Sequence, residues 1–204
     1  MSGVIEATNL QTANIKHTNG TTAATISSGG AVTLASALPI ASGGTGQTAS
    51  AQNAQTFRLS QDINGTSNLQ MFTPFEEADT DYTRVGSANW TVNAGAFSVA
   101  TTGTYLCLYN VQVSGAGGGD EFDINIQIST NSGASYIARS RTFGFAPGQK
   151  IGTSNQFIFT VSATSGFRLR MVAGMVNGIA SGSTIHGDSD MTETGITFVK
   201  LGVI

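Results

Sequence analysis

Acidic side chains gather at three places in the sequence, and grouped carboxylates are the ligands that a calcium ion takes. Calcium binds about six to eight oxygen atoms, often from acidic loops. One group is Asp188, Asp190 and Glu193, which follows His186 in the same segment. The other groups are Asp120/Glu121/Asp123 and Glu76/Glu77/Asp79/Asp81. We take Asp188, Asp190 and Glu193 as calcium candidates, with solvated loop charge as the alternative, and we expect no other cofactor.

Four arginines stand at alternating positions in two segments, and this spacing places side chains on one face of a β-strand. They are Arg139, Arg141, Arg168 and Arg170. If the two strands are paired, the guanidinium groups form a small basic patch, which is a candidate surface for an acidic polysaccharide. The alternative is a solvated strand face on which an arginine pairs with Asp123.

No recognisable catalytic motif is present in the sequence. It lacks the Gly-x-Ser-x-Gly pattern of serine hydrolases, and its histidines, His17 and His186, lie in different regions. The glycine-rich stretch at 43–48 lacks the lysine of a phosphate-binding loop. Cys107 lies in an apolar segment, where a buried and unreactive thiol is expected. We therefore expect a protein without enzymatic activity.

The composition of the 204-residue chain disfavours further classes of function. The chain has 26 glycines, 10% charged residues and a net charge of −3. Such a composition offers no basic surface for nucleic acid, and no apolar run approaches the length of a membrane span. Because the single cysteine cannot form an internal disulfide, stability must come from packing or from partner chains.

The first part of the chain predicts thin β-structure. Short runs at 14–18, 24–26 and 32–34 are separated by the turn signals Asn19-Gly20 and Ser28-Gly29-Gly30. Such a meander is too thin to stand alone, which favours identical chains wrapped around one another, with disorder as the alternative. We assign residues 1–37 to an N-terminal β-meander that serves for attachment, and residues 38–56 to a Gly/Thr/Ser-rich linker or shaft.

From residue 57 onward, apolar and polar residues alternate with a period of two, which is typical of antiparallel strands with one wet face. Residues 122–129 and 167–171 show this most clearly. The run Tyr105–Tyr109 is apolar at every position, which predicts a central strand buried on both sides. The fold class is therefore all-β, with an antiparallel jelly-roll sandwich over residues 57–204. The aromatic candidates for its core or for contacts between chains are Tyr105, Tyr109, Phe157, Phe159 and Phe198.

The segment Val92–Leu106 resembles the opening of a complement-type globular head, the jelly roll that is similar to tumour necrosis factor (TNF). That family carries Gly-x-Tyr before a long buried strand, here Gly103-Thr104-Tyr105, and a Phe-containing last strand, here Ile196–Leu201. The resemblance covers about residues 75–204. It departs at 163–166, where Ala-Thr-Ser-Gly replaces the family's Gly-Asp turn. The resemblance implies a homotrimer.

The segment Leu38–Thr48, LPIASGGTGQT, resembles a Gly-Gly-Thr-Gly segment common in bacteriophage tail fibres. Residues 14–26 also resemble N-terminal segments of phage structural proteins. These resemblances imply a virion protein that assembles in the host cytoplasm and is located on the tail or the capsid surface.

Two functions follow as expectations. The first is a homotrimeric tail fibre or short appendage whose C-terminal knob binds a host receptor or polysaccharide, while its N-terminal segment binds other virion proteins. The alternative is a trimeric capsid decoration protein, a cement protein or head fibre, that stabilises the head. For both we expect no nucleic-acid partner and no membrane insertion.

Overall fold

A computed structural model describes residues 14–16, 19–36, 53–64, 70–78, 84–115, 120–146, 148–174 and 183–202. The chain forms two compact units, Met1–Ser50 and Ala51–Ile204. Within the described ranges all regular structure is β-strand. A search of these residues finds no helix long and apolar enough to cross a membrane.

The N-terminal unit contains the predicted three-stranded antiparallel meander. Its strands are β1 (Asn14–Lys16), β2 (Thr22–Ile26) and β3 (Val32–Leu34), paired in that order. The turn glycines Gly20 and Gly30 have φ values of 84° and 81°, which glycine adopts without steric cost. Ala24 is buried, whereas Val32 and Leu34 are exposed. The meander therefore buries little apolar surface of its own, as its sequence predicts.

The C-terminal unit is built from two antiparallel sheets. The strands of the first sheet are β4 (Asn53–Leu59), β5 (Ile63–Asn64), β7 (Phe75–Glu77), β10 (Gly103–Ser114), β13 (Ile151–Val161), β15 (Thr184–Ile185) and β16 (Gly195–Gly202). The strands of the second sheet are β6 (Gln70–Met71), β8 (Trp90–Asn93), β9 (Ala96–Val99), β11 (Asp120–Ser129), β12 (Ile137–Ala146) and β14 (Arg168–Gly174).

Strand order defines the centre and the margins of each sheet. The seven-stranded sheet runs β5-β15-β10-β16-β4-β7. Strand β13 also pairs with β10, along almost its whole length, and it lies on the side of β10 opposite to β15 and β16. The six-stranded sheet runs β12-β11-β14-β9-β8, with β6 paired to β14. The long strand β10 is thus central, whereas β8 and β12 are the ends of their strand order.

The inward side chains of both sheets form one aromatic core. Trp90 stacks on Phe198 with ring centroids 3.8 Å apart, and Phe97 contacts Phe57 edge to face at 5.2 Å. Tyr105, Tyr109 and Phe198 are buried in this core. Phe157 and Phe159, the other two aromatic candidates, pack against it but are only partly buried.

The central strand β10 differs from its prediction on the outward face. Tyr105, Cys107 and Tyr109 point into the core and are at most 3% exposed. Leu106 is half-buried and Leu108 is 37% exposed. The prediction of burial on both sides is therefore wrong for a single chain, because one face of this sheet meets the other sheet and the second face does not.

The C-terminal unit starts at Ala51, inside the segment assigned to the linker. Strand β4 pairs with β16 from Asn53↔Lys200 to Arg58↔Gly195. Its inward positions are Gln55, Phe57 and Leu59, each at most 2% exposed. The first of these inward positions holds Gln55, a polar residue, so the alternation of apolar and polar residues does not begin until Phe57. The sequence therefore does not reveal where β4 begins.

Gln55 belongs to a buried polar network that joins the two sheets. Its Oε1 accepts hydrogen bonds from the backbone N–H groups of Asn89 and Trp90 at 3.1 and 2.9 Å, and its Nε2 donates to the Trp90 carbonyl at 3.0 Å. Asn89 Nδ2 donates to the Tyr105 hydroxyl at 2.8 Å, and that hydroxyl donates to the Thr101 carbonyl at 2.8 Å. The edge strand β8 is thereby tied to the facing sheet.

Candidate functional site

Two of the three calcium candidates, Asp188 and Glu193, have different hydrogen-bond partners. The Asp188 carboxylate accepts backbone hydrogen bonds from Asp190 at 2.6 Å and Met191 at 3.0 Å. These two bonds hold the pKa of Asp188 below its ordinary value. Asp188 therefore closes a turn, whereas Glu193 accepts a hydrogen bond from Lys150 Nζ at 2.8 Å.

Glu193 instead belongs to a group that we call the loop cluster, which consists of Asp62, His186 and Glu193. One ligand atom of each residue lies within 4.8 Å of the corresponding atoms of the other two. Asp62 precedes β5 and His186 follows β15, and these strands pair antiparallel through Ile63↔Ile185. The next register position therefore places Asp62 opposite His186.

The sequence did not indicate the loop cluster because its signal lies in the strand register. His186 lies two positions before Asp188 in the sequence, but the sequence does not reveal the register of two-residue strands. Asp62 and His186 are 124 positions apart in the numbering. Pairing of β5 with β15, and the return of the chain into β16, bring the three side chains together.

Three of the four arginines lie on the outer face of the six-stranded sheet. Arg141 makes a charged hydrogen bond to Asp123 from Nε at 2.8 Å, with a second contact from its terminal nitrogen. The suggested pairing of an arginine with Asp123 is thus observed. Arg170 donates to Gln127 Oε1 at 2.9 Å, and its guanidinium lies 3.8 Å from the centre of the Tyr136 ring. Arg168 donates to the Phe167 carbonyl at 2.6 Å.

Strands β12 and β14 are not neighbours, since both flank β11 on opposite sides. Arg141 and Arg170 are therefore separated by one strand. The pairing of β11 with β12 contains a register shift. Ile126 pairs with Ser140 and Gln127 pairs with Ala138. Arg139 therefore has no partner on β11 in this ladder. Such a bulge changes which side a residue faces, and Arg139 lines a groove at the sandwich margin.

This groove is open, has a volume of about 430 Å³ and lies between β13 and the second sheet. Its lining includes Phe157, Phe159, Phe167, Ile128 and Arg139. Phe159 stacks on Phe167 with centroids 5.9 Å apart. An aromatic wall beside one cation suits apolar or aromatic contacts from another protein surface.

An apolar row crosses the outer face of the seven-stranded sheet. Leu106 on β10 is paired with Ile158 on β13 and with Val199 on β16. Val199 is in turn paired with Ala54 on β4. We call Ala54, Leu106, Ile158 and Val199 the outer row. Ile158 is 63% exposed, so the row ends at the sheet margin in an uncovered apolar side chain.

Comparison with solved structures identifies the fold. The chain is similar to murine APRIL in its crystal structure at pH 5.0, with a TM-score of 0.54, 14% identity and coverage of 74% of this chain and 99% of that one. It is also similar to the Eiger TNF of S. frugiperda, with a TM-score of 0.55, 15% identity and coverage of 75% and 94%. No protein-family model matches the chain, and no curated protein matches it either.

These identities are too low to transfer a function, but the shared architecture is extensive. The described structure is all-β with antiparallel sheets, and it aligns with nearly the whole length of both solved domains. The predicted fold class and the TNF-like part of the predicted resemblance are confirmed. The chain therefore contains a TNF-like jelly roll.

Proposed function

We propose that the chain is a phage virion structural protein, a homotrimeric tail fibre or short appendage whose C-terminal knob binds the host surface. The observation that carries the trimer is the outer row, an apolar strip on the uncovered face of a TNF-like jelly roll. The tail-fibre-like segment Leu38–Thr48 supports the phage assignment; it lies outside the described residues.

Two further copies of this chain are the proposed occupants of the outer face. Burial of exposed apolar side chains drives association, and Ile158 and Leu108 are both exposed in the single chain. A closed three-fold arrangement would cover these side chains in every copy and leave no open end.

The knob would bind the host through many weak contacts. Three copies present the arginine-bearing sheet face three times, with Arg168 and Arg170 as the polysaccharide candidates. Each contact with an acidic sugar is modest at a solvated surface, but linked contacts multiply in effect. The N-terminal meander, whose Val32 and Leu34 are exposed, is the proposed contact with other virion proteins.

The trimer is tested by native mass, measured by light scattering on the full chain and on two matched variants. Ile158→Asp places a carboxylate in the outer row, whereas Ile137→Asp makes the same change on the other sheet at a residue that is 57% exposed. We expect three times the 20.9 kDa chain mass for the wild type and Ile137→Asp, and monomers for Ile158→Asp, because a buried unpaired charge is costly. A monomeric wild type, or a trimeric Ile158→Asp, contradicts the proposal.

Host binding is tested with the same variants, labelled and incubated with bacterial cells and with immobilised acidic polysaccharide. Loss of trivalency should weaken apparent binding by about 10²–10⁴, whereas Ile137→Asp should bind like the wild type. Immunogold labelling of particles then separates the two virion roles. Gold on the tail supports the appendage, and gold on the head supports the capsid decoration protein.

A further inference from the structure

We propose that the loop cluster, Asp62, His186 and Glu193, is a binding site for a divalent transition-metal ion of the zinc type. The ligand atoms of these three residues come together within 4.8 Å. Two carboxylates and one imidazole are a donor set that such ions bind, with the remaining positions open to water. This site is independent of the proposed virion role.

The contact between His186 and Asp62 has the geometry of two ligands on one ion. His186 Nδ1 lies 3.4 Å from Asp62 Oδ1, which is longer than a good hydrogen bond between these atoms. Two ligands on a tetrahedral ion, each about 2.0–2.1 Å from the metal, are about 3.4 Å apart. The spacing therefore leaves room for an ion between the two atoms.

Surrounding groups hold these ligands in place. The second ring nitrogen of His186, Nε2, is 2.8 Å from Ser114 Oγ. Asp62 Oδ1 accepts the backbone N–H of Gly187 at 2.9 Å. A metal-binding histidine usually has its other ring nitrogen hydrogen-bonded in this way, which fixes the orientation of the ring.

Glu193 is held from the same strand face that carries Ser114. Asn110 Nδ2 donates to the Glu193 carbonyl at 2.7 Å. Gln112 lies between Asn110 and Ser114 on that face of β10, and its Oε1 is buried without a hydrogen-bond partner among the described residues. Thr192 Oγ1, next to Glu193, is likewise buried and unpartnered there. Water bound to an ion is a donor of the kind that these oxygens lack.

The site is open to solvent, and one of its ligands already binds a positive charge. The Asp62 side chain is 50% exposed, so an ion can enter from solvent. Lys150 Nζ lies 2.8 Å from Glu193 Oε1 and forms an ion pair with it. The ammonium is thus a positive charge already bound to one of the three ligands. A metal ion must displace it, which makes Lys150 a competitor for the site.

The donor set discriminates between ions. Calcium prefers about six to eight oxygen ligands, and the loop cluster offers two carboxylates and a nitrogen. Asp188, another acidic side chain of the loop, already accepts hydrogen bonds from the backbone N–H groups of Asp190 and Met191. We therefore expect zinc to bind here much more tightly than calcium.

The experiment is calorimetric titration of the chelator-treated full chain with Zn²⁺, and separately with Ca²⁺. The wild type should bind one Zn²⁺ per chain at this site, and Asp62→Asn and Glu193→Gln should each weaken it by about tenfold or more. Asp190→Asn is the matched control, because it removes the same charge from the same loop outside the cluster, and it should change the affinity by less than about threefold. The Asp62 side chain is half exposed, so Asp62→Asn tests the site without disturbing the packing of the loop.

Lys150→Met provides the sharpest discrimination. If the loop cluster binds the ion, removing the competing ammonium should raise the Zn²⁺ affinity by about tenfold, and Zn²⁺ should raise the thermal midpoint of this variant more than that of the wild type. Three results would overturn the proposal: no Zn²⁺ binding by the wild type, an unchanged affinity in both Asp62→Asn and Glu193→Gln, or an unchanged or weaker affinity in Lys150→Met.

Discussion

Replacing Gln55 by Met should destabilise the C-terminal unit. The loss should be far larger than that expected for a substitution of a polar residue in a linker, the segment to which the sequence assigns Gln55. Gln55 is 1% exposed, and its side chain makes three hydrogen bonds to the backbone of Asn89 and Trp90. Met has a similar length and leaves little cavity, so the change isolates the hydrogen bonds. Three buried backbone groups then lose their partner.

The magnitude follows from that geometry. A buried polar group without its partner costs about 1–3 kcal/mol, so three groups give about 3–9 kcal/mol. Domains of this kind have an unfolding free energy of about 5–15 kcal/mol, and each kcal/mol shifts the melting temperature by about 2–4 °C at this size. We expect Gln55→Met to melt about 6–36 °C below the wild type.

The assay is urea and thermal unfolding at one fixed chain concentration, because association also affects stability. Trp90 is the single tryptophan of the chain and lies in the core, so its fluorescence reports on the site of the change. Gln127→Met is the control, since its side chain accepts one hydrogen bond, from Arg170 on the outer sheet face, and we expect a loss below about 1 kcal/mol. If Gln55→Met loses no more than Gln127→Met, the assignment of Gln55 as the link between the sheets is refuted.

Three further predictions concern the boundary, a loop contact and the buried thiol. A chain that begins at Ala51 should unfold in one sharp cooperative transition, whereas a chain that begins at Phe57 should not, because it lacks half of β4. Circular dichroism measured during heating distinguishes the two outcomes. Gly187→Ala should cost about 1–3 kcal/mol, because its Cβ would collide with the backbone carbonyl oxygen of Gln61. Gly152→Ala, with open space around it, should cost little; equal urea midpoints for the two variants would contradict the packing. Burial raises the pKa of Cys107, so the unfolded chain releases the thiol proton above about pH 8.5 while the folded chain keeps it. Stability should therefore fall as the pH rises from 8 to 10, and Cys107→Ala should weaken that fall; the same slope in both proteins would count against the burial.

Recognition of the strands from the sequence depended on how apolar their inward faces were. Strand β11 was predicted because Phe122, Ile124, Ile126 and Ile128 alternate with polar residues, and the structure buries all four. Strand β4 was missed at its start because Gln55 occupies an inward position. A buried glutamine is stable there only because backbone groups of the facing sheet accept and donate to it, and local sequence does not contain those groups.

The arginine face shows the same limit in a different way. Alternation correctly placed Arg168 and Arg170 on one face of β14, since a strand has a period of two. The same rule failed for Arg139, which is the extra residue where β12 pairs with β11. An extra residue shifts the register by one, so the side chains on its two sides no longer follow one alternation. Sequence alternation carries no information about such a register shift.

The sequence by itself determined the class of this protein. Alternating apolar residues, few charges and turn glycines admit antiparallel β-structure and little else, because each strand must bury one face and expose the other. The tertiary structure decided which residues meet. Ile63 pairs with Ile185, and that pairing places Asp62 beside His186, because hydrogen-bonded register, and not distance along the chain, determines which loops lie together.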